Sequence, residues 1–524
     1  MIAPEHDFST LLKELLHTRE PVLTTGQKLG LERECLRIQP DGSLAQTPHP
    51  YDLGSSLTHP AITTDFSESQ IEFTSQTHSR ISHLMAELEQ LQNFVCTTLQ
   101  GELLWPLSMP ARLPQDEKQI PLARYGSSSL AQKKTIYRRG LGLRYGRRMQ
   151  TISGIHYNFS IGPALFDFLY QNWQESSPAS PDQDSATARQ QFQTDLYLRT
   201  IRNFLRLTPI LPYLFGASPA FDQSFVYGRA NQIEALHLQK LGENTWYGPL
   251  ATSLRMSAIG YTNERQKTIA ANYNDLTLFI DSLRQALVTP VAEYSRWSAS
   301  EGLQLNANLL QIENEHYALV RPKPLLGNAR TVLDALEQGG IEYIEIRGLD
   351  LNPFTPIAVD SRQLYFVHLL LLHCMFNRSP LLLASETEHL QQQFQQVVVN
   401  GHRNNCIQLN GGSLREYGLI LCEQLETLAF KLDRELVSDQ YQNALHHARI
   451  LFEHPEETPS ARLMAAIMER GEYLDFGIAQ AKKHCRYFGQ HMLADDIMAE
   501  YSRLVTRSHQ DQLRIEQMEQ AHIA

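Results

Sequence analysis

The sequence predicts a mixed α/β core followed by a helical C-terminal region, and three observations support this. Short apolar segments bounded by Gly and Pro read as strands: Gly30–Ile38, Ser69–Thr74, Leu303–Ile312 and Ile341–Ile346. Apolar residues at helical spacing are interleaved with them. After about Asp360 nearly every segment is helical. The division this suggests is an α+β region over 1–360 and a helical region over 361–524.

The elements follow in order. Phe8, Leu11, Leu12, Leu15 and Leu16 open the chain at helical spacing. Ser79–Leu99 repeats the pattern, with Ile81, Leu84, Leu88, Leu91 and Val95 on one face. Trp173–Gln191 is rich in Ser, Pro, Asp and Gln without apolar periodicity and reads as a surface loop. Thr194–Leu207 is amphipathic and predicts a helix ending before Pro209. Further on, Ser413 and Glu416 match a capping box. Thr458 with Pro459 matches an N-cap with proline at the first helical position, and Gly471 ends that helix. Ala494–Gln520 predicts a polar helix.

Composition narrows the class. A chain of 524 residues exceeds the usual limit of about 250–300 for one hydrophobic core, so more than one unit is expected. Hydrophobic content of 42% and charged content of 20% are those of a globular protein in water. The net charge of −11 argues against nucleic acid as a partner and is compatible with cation binding. The six cysteines, Cys35, Cys96, Cys374, Cys406, Cys422 and Cys485, form no CxxC pair, which argues against a zinc ribbon and for reduced thiols. Met1–Asp7 has no apolar stretch of the signal-peptide kind. Leu364–Met375 falls short of the roughly 20 residues a bilayer requires. A cytoplasmic protein with no membrane partner is expected.

The chemistry lies in acidic strand positions. In Leu31-Glu32-Arg33-Glu34-Cys35, alternation puts Glu32 and Glu34 on one face, about 7 Å apart, and Arg33 on the other. Asp65 ends a hydroxyl-rich loop, and Glu72 sits between Ile71 and Phe73. A carboxylate in apolar text needs a partner, because an unpaired buried charge is costly. Glu345 and Arg347 share a strand face, opposite Glu342, Ile344 and Ile346; an internal ion pair is the plain alternative. His156, Asn158 and Ser160 share a polar face opposite Ile155, Tyr157 and Phe159. Hard oxygen donors in this number favour magnesium or manganese, and magnesium implies a phosphate substrate, most simply ATP. The sequence carries no GxxxxGK[ST], and Gly140-Leu141-Gly142 lacks the dinucleotide spacing. Lys133, Lys134, Arg138, Arg139, Arg144, Arg147 and Arg148 form a basic cluster that reads mostly as a solvated helix face. Arg255 and Arg347 stand isolated in apolar text, as guanidinium groups that clamp carboxylates or phosphates do.

The segments GLERECLRI, ITTDFSESQIEF, YGSSSLAQKKTIYRRGL, RYGRRMQTISGIHYNFS, ATSLRMSAIGYTN, LQLNANLLQIENEHYALVRPK and GGIEYIEIRGLDLNPFTPIAVD resemble, in this order, the glutamate–cysteine ligases of the proteobacterial type. The resemblance implies a fold like that of glutamine synthetase, with a curved, mainly antiparallel sheet and surrounding helices. It implies magnesium on Glu32, Glu34, Asp65, Glu72, His156 and Glu345. It places Phe66, Tyr137, Leu141, Gln150, Arg255, Tyr261, Tyr317 and Arg347 at the amino-acid pockets, and Arg138 near the nucleotide phosphates. Arg138, Arg255 and Arg347 are then the expected catalytic cations. Gly348 departs from the serine expected there.

The implied reaction is ATP-dependent joining of glutamate to cysteine through γ-glutamyl phosphate, with glutathione as a feedback inhibitor. A monomer or weak homo-oligomer without a fused glutathione synthetase unit is expected. Two other readings stay open: a ligase that joins glutamate to a different amine, and a non-catalytic binder of nucleotide or amino acid.

Overall fold

In a computed structural model of the chain, the described residues are 8–18, 20–176, 185–260, 265–269, 271–403, 406–409 and 411–523. The centre is a sheet of seven strands. They are β1 Lys28–Ile38, β2 Ile62–Thr64, β3 Gln70–Thr74, β4 Leu103–Leu104, β5 Ile155–Ser160, β6 Val320–Lys323 and β7 Tyr343–Leu349. The order is β2-β3-β1-β5-β7-β6, with β4 paired to the end of β1, and every pairing is antiparallel.

The two sides of this sheet differ because side chains alternate. Leu29, Leu31, Cys35, Ile71, Phe73, Tyr157, Phe159, Ile344 and Ile346 are buried in one large core. Helices α1 (Phe8–His17), α2 (Ile81–Thr98), α3 (Ser129–Tyr145), α4 (Pro163–Ser176), α5 (Ser185–Leu207) and α6 (Ser361–Phe376) surround the sheet. Every α6 residue from Gln363 to Phe376 is buried, and its His368 ring meets Phe159 at 5.3 Å. The same core takes in α7 (Leu414–Leu436) and α8 (Gln440–Glu453). A second core gathers Leu36, Phe66, Trp105, Leu141 and Met149 with residues of α9 (Pro459–Arg470) and α10 (Tyr473–Gln490). The chain closes with α11 (Asp495–Ile523), whose Glu516 and Glu519 carboxylates accept from the Ser127 and Ser129 backbone N–H groups at the start of α3.

Local signals placed several elements well. Ser413 and Glu416 form the reciprocal capping box on α7. Thr458 caps α9 with Pro459 next, and Gly471 closes it with φ 89°. Three expectations require correction. Leu303–Ile312 forms no strand, because side chains take amides a partner strand would need: Leu305 N donates to Gln311 Oε1, Asn308 N to Asn306 Oδ1 and Gln311 N to Glu315 Oε2. Within Trp173–Gln191, the helices α4 and α5 reach in from both sides, so residues 173–176 and 185–191 are helical, and 177–184 lie outside the described residues. The basic cluster on and after α3 is not mainly solvated. Arg144 pairs with Glu315 at 3.1 Å with both side chains buried, Arg148 donates to Ser224 O at 2.7 Å, and Arg139 bonds Gly302 O. Only Lys133 of the seven is exposed.

Candidate active site

Three neighbouring strands, β1, β5 and β7, bring the acidic positions together. Glu32 lies opposite His156 across β1 and β5, and Glu345 lies opposite Asn158 across β5 and β7. Glu32 Oε2 is 3.0 Å from His156 Nδ1, and Asn158 donates to Glu32 Oε1 at 3.2 Å. His156 Nδ1 is also 3.8 Å from Glu345 Oε1, and His156 Nε2 is 3.8 Å from Glu34 Oε1. Glu32, His156 and Glu345 each offer a donor atom within 4.8 Å of the others. Among the described residues this is the one such group of His, Cys, Asp and Glu.

On the far side of β1, Glu34 lies opposite Glu72 of β3, and Thr63 of β2 lies opposite Glu72 in turn. Asp65 follows the end of β2, where its backbone carbonyl accepts from Arg138 Nε. Its carboxylate lies 3.9 Å from Arg138 Nη2. Glu34 Oε2 accepts from the Gly154 backbone N–H at 3.0 Å. Gly154 leaves room for Arg255: an added Cβ would sit 1.9 Å from Arg255 Nη2 and push the guanidinium aside.

The electrostatics differ between these two groups. Burial drives Glu72 well above the usual carboxylate range, and the charges of Asp65, Glu32 and Glu34 add to the rise. Burial and Asp65 raise Glu34 to about 8, against Arg255, Arg347 and the Gly154 N–H. Glu345 goes the other way: burial raises it, but Arg347, Lys323, Arg321 and His156 together hold it well below the usual range. For Glu32, burial is likewise outweighed, chiefly by its hydrogen bond with His156. Burial and Arg347 keep His156 neutral, which leaves a ring nitrogen able to accept or ligate.

Arg347 reaches Glu345 Oε1 and lies 3.4 Å from His156 Nδ1. A β-bulge between Ile346 and Leu349 re-aims this stretch and includes Gly348. Arg255 donates to the Arg347 carbonyl at 3.2 Å and lies 3.5 Å from the buried Asp350. Leu141 and Phe66 are buried in the second core, and Tyr137 and Tyr317 pack against it. Gln150 Nε2 donates to Tyr317 Oη at 3.0 Å. Tyr261 lies outside the described residues. Spacing alone missed Lys323, whose Nζ is 2.5 Å from Glu345 Oε2, and Asp350, which also accepts from Ala217 N and Ser218 Oγ. Lys323 is drawn in by the pairing of Tyr343 with Lys323 across β6 and β7, which no local pattern announces.

Carboxylate oxygens, one neutral imidazole and flanking guanidinium groups on one sheet form a donor set that could hold a divalent cation beside anionic groups, the class of site an enzyme of phosphate or carboxylate substrates uses. The comparisons make the class specific. The family model described as glutamate-cysteine ligase matches residues 12–397, and the chain belongs to that family. A glutamate–cysteine ligase of Pseudomonas paraeruginosa is 42% identical over 93% of this chain and 90% of its own length. One from Azotobacter vinelandii is 44% identical over 87% of this chain and 85% of its own. The crystal structure of a glutamate–cysteine ligase from Francisella tularensis in complex with AMP superposes with a TM-score of 0.83. It is 30% identical and covers 94% of each chain. A bifunctional glutathione synthetase from Pasteurella multocida shares the fold at TM-score 0.72 and 24% identity, with 58% of its length covered. No described helix is long and apolar enough to cross a membrane.

Proposed function

We propose that this protein joins L-glutamate, through its γ-carboxylate, to L-cysteine at the expense of ATP, making γ-glutamylcysteine, ADP and phosphate. This is the first step of glutathione biosynthesis. The observation that carries the proposal is the gathering of Glu32, His156 and Glu345 on one sheet of a chain matched by the family over residues 12–397.

The donor set fits magnesium, with manganese as a substitute, because its members are carboxylate oxygens and one neutral imidazole. The raised Glu34 and Glu72 add a second reason: burial and acidic neighbours disfavour their charged forms, which a bound cation would favour. Glu32, His156 and Glu345, with Glu34, Asp65 and Glu72 beside them, are the residues assigned to hold the metal. When bound, magnesium supplies charge neutralisation on the triphosphate.

The chain's own groups do the rest. The glutamate γ-carboxylate attacks the γ-phosphorus of ATP and ADP leaves, giving γ-glutamyl phosphate. The cysteine amine then displaces phosphate and loses a proton. Arg138, Arg255 and Arg347 are assigned to balance the developing charge on phosphate and carboxylate oxygens. Phe66, Tyr137, Leu141, Gln150, Tyr261 and Tyr317 are assigned to line the amino-acid pockets. A pocket that judges the acceptor by size discriminates one methylene by only about 1–3 kcal/mol, so 2-aminobutyrate should be accepted in part.

Further parts of the proposal are that glutathione inhibits at the same pockets and that the protein works in the cytoplasm as a monomer or weak homo-oligomer. The six free cysteines support a reducing compartment. Residues 1–360 are assigned the catalytic work, and 361–524 the helical support packed on it.

The test is ADP release with glutamate, cysteine and Mg-ATP, with a panel of other amines in parallel. Turnover should need both amino acids and disappear in Glu32→Ala. A wild-type rate no higher than that control sinks the ligase reading. Faster turnover with another amine moves the acceptor and leaves the chemistry standing.

A further inference from the structure

We propose that Lys323 is a catalytic residue of this reaction: it rests on Glu345 until a divalent cation takes that carboxylate, and then turns to the phosphate of ATP. The inference rests on the reading of Glu345 as a metal ligand.

The geometry points this way. Glu345 has a side chain 1% exposed, and both of its oxygens are claimed by cations, Oε1 by Arg347 and Oε2 by Lys323. A metal ion taking either oxygen meets a positive charge already in place. The two cations are not equally fixed. Both backbones are held, Arg347 N–H donating to Leu319 O at 2.9 Å and Lys323 O accepting from Glu342 N at 2.9 Å, but the Arg347 guanidinium also lies 3.4 Å from His156 Nδ1. Lys323 is the last residue of edge strand β6, on a flexible stem, with its side chain 20% exposed. Among the described residues its one ion pair is with Glu345.

Lys323 is thus the cation a metal displaces with least rearrangement. Its ammonium, once released, lies beside the carboxylates that would hold the metal, where the phosphates have to come. An ammonium binds phosphate as a mobile point charge, which suits a group that changes partners. A purely structural ion pair would behave differently, and the difference can be measured.

Two readouts separate the roles. The first is Mn2+ binding to the nucleotide-free protein, followed by the loss of the free-ion resonance. The second is steady-state ADP release with varied ATP. Lys323→Met removes the competitor for Glu345, so Mn2+ should bind about fivefold tighter. The same variant lacks the phosphate contact, so kcat/KM for ATP should fall about 100-fold. Lys323→Arg keeps the charge and should recover most of the turnover. A structural ion pair predicts that Mn2+ binding weakens or stays level along with activity, and that result overturns the inference. Unchanged turnover in Lys323→Met overturns it too. If Lys323→Met does not fold, Lys323→Gln is judged by the same two readouts. If wild-type protein binds no Mn2+, the metal reading of Glu345 fails. If wild-type protein binds it and neither Lys323→Met nor Lys323→Gln binds tighter, the failure belongs to Lys323 alone.

Discussion

Glu32 and Arg33 are adjacent in β1, yet they belong to two different regions of the molecule. Behind the sheet, Arg33 is 1% exposed, bonds Gln92 of α2 and lies 5.5 Å from the Phe73 ring centre. Its Nε has no hydrogen-bond partner, and among the described residues no carboxylate pairs with it. In front, Glu32, Glu34, Glu72 and Glu345 crowd one face, and the cations gather on Glu345 while burial and acidic neighbours raise Glu34 and Glu72. Charge behind the sheet is part of packing and can be replaced by shape. Charge in front is stored at a cost in stability, as a functional site requires.

The largest expected effect falls in front. Glu72→Gln and Glu345→Gln should each lower turnover by about 1,000-fold or shift the magnesium requirement sharply upward. Unchanged magnesium dependence removes the residue from the site. The same Glu72→Gln change should stabilise the metal-free protein to urea by about 1 kcal/mol, because it removes a carboxyl raised by burial and its acidic neighbours.

Behind the sheet the pattern should invert. Arg33→Ala leaves a hole and an unpaired Gln92 and should cost about 3 kcal/mol. Arg33→Met, which keeps volume, should cost less than about 1.5 kcal/mol and leave turnover intact. Loss of catalysis in a folded Arg33→Met protein would break the comparison.

The buried histidines behind the sheet and the raised Glu34 carboxyl in front should respond to pH with opposite sign, while the depressed Glu32 and Glu345 act in the same direction as the histidines. Burial pushes His368 to about 3 and His373 to about 4. The unfolded chain therefore takes up protons below 6.5 that the fold refuses, and stability falls as pH drops from 6.5 toward 3. Glu34, raised to about 8, does the reverse. The fold keeps a proton that the unfolded chain loses near 4.5, so stability falls as pH rises from 4.5 through 8. Urea midpoints measured across pH in chelator should peak between these limits, and magnesium should flatten the alkaline side alone.

The smallest effect is local. Ser413→Ala removes the cap of α7 and should lower stability by about 1 kcal/mol without touching activity.

Sequence legibility divides along the same line. Strand alternation was enough to separate Glu32 and Glu34 from Arg33, and Glu345 from Ile344 and Ile346. Capping chemistry is written in neighbouring residues, so α7 and α9 were readable at their first turns. Cross-strand register is not written locally. Nothing near Lys323 says that it meets Glu345, or near Asp350 that it holds Arg255. The Leu303–Ile312 text alternates like a strand, but its Asn and Gln side chains bond the backbone before a partner strand can. The basic run at Lys133–Arg148 looked solvated because the partners that bury it, Glu315 and Ser224, lie far off in sequence.

A metal site for ATP chemistry on the front face of this sheet has a direct crystallographic signature. Diffraction at the manganese absorption edge, from crystals grown with a non-hydrolysable ATP analogue, tests it most directly. The expected result is anomalous density bonded to Glu32, His156 and Glu345, with the triphosphate against it. Manganese bound elsewhere, with this group still closed on its own ion pairs, would contradict the account.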